Sequence, residues 1–213
     1  MSVLDNYSVI EKSIKKINSK AQCIVVSKNF EINLIIPLIN LGHVHFGENR
    51  VQEAKAKWSS VLINNNKINL HMLGKLQSNK VDDCVKLFSY VHSLDSKKLA
   101  DYLSSSEVKN NKKLKYFVQV NIGNEKQKSG ILPSEANDFI DYCKNVKKLH
   151  VIGLMCIPPI GLDVGPFFLK LRDLALKNNL HELSMGMSDD YIQALKLGST
   201  FVRIGTGIFG RRN

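Results

Sequence analysis

Long hydrophobic runs are missing from this sequence: no apolar stretch approaches the ~18 residues that a bilayer-crossing helix needs. The N-terminal segment MSVLDNYSVIEKSIKKINSK has no uncharged core of the kind a secretory signal carries, and the expectation is a cytoplasmic chain. That segment reads instead as an amphipathic helix, with Val9, Ile10, Ile14 and Ile17 on one stripe. Cysteine is sparse. The four residues Cys23, Cys84, Cys143 and Cys156 form no CxxC pair, which speaks against a disulfide framework or a zinc centre. His43 and His45 lie two apart with no third ligand nearby, and read as ordinary polar strand residues. No Pro/Gly/Ser linker, low-complexity tract or shift in composition divides the chain, so residues 1–213 are expected to form one domain.

What is abundant is positive charge, with 30 Lys and Arg against 19 Asp and Glu, a formal net charge of +11. A basic balance invites a nucleic-acid partner. The lysines, however, are scattered over helix faces and loops (Lys12, Lys15, Lys16; Lys55, Lys57; Lys112, Lys113, Lys115; Lys147, Lys148), without interleaved aromatics. They read as solvated faces, and no specific nucleic-acid partner is expected.

Short apolar runs alternate with helical patterns along the chain. Strands are predicted at 22–27, 43–46, 68–73, 87–94, 115–122, 149–157, 181–185 and 200–205, the first of them the doubly buried type QCIVVS. Helices are predicted between them, with starts near Ser78, Asp95, Pro133, Asp163 and Ser188. Eight alternations indicate an α/β fold, a parallel sheet closed into a single-domain (β/α)₈ barrel.

In such barrels the chemistry sits where strands run into their following loops. Lys28 stands at the end of the first strand, and FGEN (46–49), GKLQSNK (74–80), SMGMSDD (184–190) and RIGTGIFG (203–210) follow later ones. The last two place hydroxyls and backbone N–H groups at strand-to-helix turns, which suits a phosphate on Ser184, Gly205, Thr206 and Gly207. Ser188, followed by Asp189 and Asp190, reads instead as a helix N-cap. An amine at one end and a phosphate cradle at the other suggest a phosphorylated aldehyde held as a Schiff base, with pyridoxal 5'-phosphate (PLP) the natural candidate.

The stretches VVSK (25–28), HFGENRVQEAKAKW (45–58), HMLGKLQSNK (71–80), VHSLD (91–95), QVNI (119–122), KSGI (128–131), IGLMCIPP (152–159), LSMGMSDD (183–190) and GSTFVRIGTGIFG (198–210) together resemble the pyridoxal phosphate homeostasis protein family. That family is similar to the barrel domain of alanine racemase. The resemblance implies Lys28 as the Schiff-base lysine, and Ser184, Gly205 and Thr206 at the phosphate. It further implies Arg203 facing the pyridine nitrogen, and Asn49 beside the cofactor with Gln77 and Asn79 near it. The role implied is vitamin B6 homeostasis; Arg203 at the pyridine nitrogen and the lack of a second acid/base group lead to an expectation of no turnover, a monomer is expected, and PLP-dependent apo-enzymes are candidate recipients. Asn29 departs from the family's usual threonine and Gly207 from its common alanine. Two rivals remain open at this point, a PLP-dependent racemase and a phosphate-binding barrel without PLP.

Overall fold

The computed structural model describes residues 2–210. Helix α1 (Val3–Ile17) opens on a reciprocal cap, in which Ser2 Oγ accepts from the Asp5 N–H and the Asp5 carboxylate accepts from the Ser2 N–H. Eight strand-helix units follow. They are β1 (Gln22–Val26) with α2 (Ile32–Asn40), β2 (His45–Glu48) with α3 (Val51–Asn64), β3 (Asn69–Met72) with α4 (Val81–Leu87), and β4 (Tyr90–Leu94) with α5 (Lys97–Asn110). The second half has β5 (Lys115–Gln119) with α6 (Ala136–Asp141), β6 (His150–Met155) with α7 (Gly165–Lys177), β7 (Glu182–Met187) with α8 (Tyr191–Lys196), and β8 (Phe201–Ile204) with the short α9 (Thr206–Phe209). Each strand pairs in parallel with the next, and β8 returns to β1 through Gln22–Phe201 and Val25–Ile204, closing the barrel as expected.

Two apolar layers hold it. The larger lies between sheet and helices and includes Phe46, Trp58, Phe88, Tyr116 and Phe168, all fully buried. The smaller fills the barrel axis with Ile24, Tyr90, Phe117, Met155 and Phe201. Barrel interiors are ordinarily packed with such side chains. Here three histidines, His45, His71 and His92, share that interior, His71 stacked on Tyr90, His92 on Phe117, and His45 and His92 edge-on to Phe201.

Several local expectations shift by a few residues. Ser96, not Asp95, caps α5, accepting from the Leu99 N–H. His43 precedes β2 rather than lying within it. All four cysteines are buried free thiols, and no group of metal-ligating side chains forms among the described residues. No described helix is long and apolar enough to cross a membrane.

Candidate functional site

The C-terminal ends of the strands surround a cleft of about 310 Å³, within the ~300–1,000 Å³ typical of small-molecule sites. Lys28 borders it from β1, Asn49 from β2, Arg203 from β8, and Gly205 and Thr206 from the following turn. Leu73, Met155 and Ile157 supply apolar walls. Five of the six predicted site residues therefore meet at one place.

Ser184 does not. It is fully buried, and its hydroxyl is engaged by Arg203 Nη1 at 2.8 Å and His92 Nδ1 at 2.8 Å. Ser188 reaches the cleft instead. The reason is local: the β7–β8 register shifts between Ser184 and Met187, and Gly186 turns the chain at φ +92°. A side chain there would be strained, and its Cβ would lie 2.6 Å from that of Ala194. Ser188 is likewise no N-cap, because α8 starts later, at Tyr191, after Asp190. Its Oγ lies 3.1 Å from Thr206 Oγ1 and accepts from the Gly207 N–H at 3.2 Å. Two hydroxyls and a backbone N–H thus converge beside Gly205, a donor set suited to an anion.

Arg203 forms the floor. It is buried, donates to the Ser184 carbonyl at 2.7 Å and the Cys156 carbonyl at 3.0 Å, and makes no ion pair among the described residues. Burial lowers its proton affinity from the ordinary value. Beneath it a hydrogen-bonded chain runs down the barrel axis. Ser184 Oγ meets His92 Nδ1, His92 Nε2 meets His71 Nδ1 at 2.9 Å, and His71 Nε2 meets His45 Nδ1 at 2.9 Å. A guanidinium can only donate. Accepting from Arg203, the Ser184 hydroxyl has its own proton to donate to His92 Nδ1, an arrangement in which each ring is neutral and donates through Nε2 to the next. Burial agrees, pushing His71 and His92 well below the ordinary histidine value and His45 to about 4.

Behind Lys28 lies a second polar group that spacing alone did not reveal. The Lys57 side chain is only 10% exposed, contrary to the expected solvated face, and its Nζ lies 3.1 Å from carboxylate oxygens of both Glu48 and Glu53. The i, i+4 spacing of Glu53 and Lys57 was a usable signal, whereas burial of Glu48 was not. Gln77 lines a neighbouring cleft with Arg50, Lys75 and Lys80, which Asn49 also borders, and Asn79 is exposed in the short turn before α4.

The family described as "Alanine racemase, N-terminal domain" matches residues 2–213. A pyridoxal phosphate homeostasis protein of Aquifex aeolicus is 37% identical over 90% of this chain and 87% of its own. One of Pasteurella multocida is 34% identical over 100% and 99%. The structure of PipY from Synechococcus elongatus with PLP bound superposes with a TM-score of 0.82 at 33% identity, covering 94% of this chain and all of that one. By sequence and fold, the chain belongs to the alanine racemase N-terminal domain family, among the pyridoxal phosphate homeostasis proteins.

Proposed function

We propose that residues 1–213 act as one PLP-binding domain that holds the cofactor on Lys28 and takes part in its intracellular, cytoplasmic homeostasis without turning over a substrate. The observation that carries this is an amine and an anion cradle lining one cleft floored by Arg203. Lys28 would hold the cofactor covalently through its side-chain amine, Ser188, Thr206 and the Gly207 N–H would hold its phosphate, and Leu73, Met155 and Ile157 would supply apolar walls around it. The solved relative with PLP bound supports the choice of ligand.

Bound PLP ordinarily supplies an electron sink for a carbanion. Arg203 only donates, so a pyridine nitrogen that meets it accepts and stays unprotonated, which weakens that sink. Among the described residues lining the cleft, the titratable groups are Lys28, Asp189 and Arg203, and Asp189 is exposed next to the phosphate end. Lys28 can serve one face of a substrate carbon, and no opposite acid or base stands among the described residues that line the cleft. Recipients among PLP-dependent apo-enzymes, and a monomeric state, belong to the same reading.

Borohydride reduction of the PLP-loaded protein, followed by peptide mass analysis, tests it: the label is expected on Lys28 and absent from Lys28→Ala. A label on Lys75 or Lys80 would overturn the assignment. Incubation with L-alanine in D₂O is expected to leave the α-proton and its configuration unchanged, and D-alanine in excess of protein would establish a racemase.

A further inference from the structure

Lys28 sits in a turn whose two flanking residues are both held from outside. On one side, the Ser27 N–H donates to the Gly47 carbonyl at 2.9 Å and the Ser27 hydroxyl to Glu48 Oε1 at 2.7 Å. The Ser27 carbonyl accepts from Lys57 Nζ at 2.7 Å and from the Phe30 N–H at 3.2 Å, closing the turn over Lys28. On the other side, Asn29 adopts a left-handed backbone at φ +61°, tolerated better by asparagine than by most side chains. Its N–H donates to Glu53 Oε1. Phe30 then stacks on Phe209 with ring centroids 4.3 Å apart, tying the turn to the anion-binding end.

The outside residues form one charged group. Glu48 is fully buried and Lys57 nearly so, while Glu53 retains 24% exposure. Glu48 Oε1 also accepts from Trp58 Nε1 at 3.0 Å. Burial would raise the Glu53 carboxyl, but the Asn29 N–H and Lys57 outweigh it and hold the group below its ordinary value. A buried ion cluster is costly to desolvate, and apolar packing usually serves stability equally well. Pure stability also gives no reason for two of its members to end on the backbone on either side of Lys28.

We infer that Glu53 and Lys57, backed by Glu48, form a clamp that positions Lys28 for capture of the cofactor aldehyde. Glu53 and Lys57 are positioning residues, acting through the Ser27 and Asn29 backbone. The inference rests on Lys28 being the point of attachment. It also gives a physical role to the stretch GENRVQEAKAKW (47–58), most of which lies outside the cleft.

The test uses full-length protein and two readouts. In PLP-free protein, amide hydrogen exchange of residues 28–30 is expected to quicken roughly tenfold in Glu53→Ala, the scale of losing one hydrogen bond to a charged acceptor. It should stay near wild type in Glu53→Gln, whose amide oxygen still accepts from Asn29. In capture experiments, the rate of PLP attachment should fall by a similar factor in Glu53→Ala and recover in Glu53→Gln. Because Lys57→Met alone would strand the buried Glu48 charge, the paired variant Glu48→Gln/Lys57→Met removes both charges together, with circular dichroism as the folding control. Unchanged exchange and capture in Glu53→Ala and in the paired variant would overturn the clamp. A wild-type protein that attaches no PLP to Lys28 would instead sink the cofactor reading, and the exchange data would then decide by themselves whether the turn is clamped.

Discussion

Acidification should unfold this protein through histidines rather than carboxylates. Four rings are held neutral by burial: His43 and His45 at about 4, and His71 and His92 well below the ordinary value. Lys15 and Lys115 lie near enough to His45, and Arg203 to His92, to disfavour a proton still more. His43 closes the set, its Nε2 donating to the His45 carbonyl at 2.7 Å and its Nδ1 accepting from Tyr7 at 2.9 Å. In the unfolded chain these rings protonate near pH 6.5. Below that value the unfolded state binds more protons than the native one, so stability is complete above about 6.5 and falls as pH drops toward 4. By pH 5 His43 and His45 cost about 2 kcal/mol each, roughly 4 kcal/mol together, and His71 and His92 act in the same direction, against the ~5–15 kcal/mol total of ordinary domains. Urea unfolding followed through the fluorescence of the single tryptophan, the buried Trp58, at pH 7.5 down to 5 gives the slope. His45→Gln, which still accepts from His71, should lessen the loss between pH 7 and 5 by about 2 kcal/mol. A stability that changes by less than ~1 kcal/mol between pH 7 and 5 would refute the neutral chain.

Three further outcomes follow from the cleft and its turns. Ser188→Ala and Thr206→Ala should each weaken PLP binding by roughly ten- to a hundredfold while leaving pyridoxal, which lacks the phosphate, nearly unaffected. Ser184→Ala should instead lower stability, since it removes the acceptor between Arg203 and His92; isothermal titration with the two vitamers and thermal melts separate the cases. Gly186→Ala should destabilise by more than ~1 kcal/mol in urea, because the added Cβ meets both a positive φ and Ala194. Equal stability of that variant would show that the β7 turn relaxes freely.

Some of this architecture was legible residue by residue. The doubly buried run at 22–26 and its seven successors carry their burial in local pattern, because a strand covered on both faces must be apolar along its length. Eight such runs with helical periodicity between them imply a closed barrel, and the barrel's geometry places Lys28, Asn49, Arg203, Gly205 and Thr206 at one rim. Other assignments depended on contacts far apart in the chain. Ser184 and Ser188 are both serines near the end of β7, and only the shifted register beside β8 decides that one supports Arg203 from below while the other faces the cleft. Lys57 resembles the exposed lysines around it until Glu48, nine residues earlier, and Ser27, thirty residues earlier, are folded against it. His45, His71 and His92 come from three separate strands, each looking like an ordinary polar position. Closure of the barrel brings them into a single file, because the three neighbouring strands β2, β3 and β4 point their inward side chains at a common axis. Local pattern determines which apolar residues are buried; which polar groups join them, and which of those find one another, is decided by the tertiary structure, since hydrogen bonds require distance and direction that no one-dimensional spacing contains.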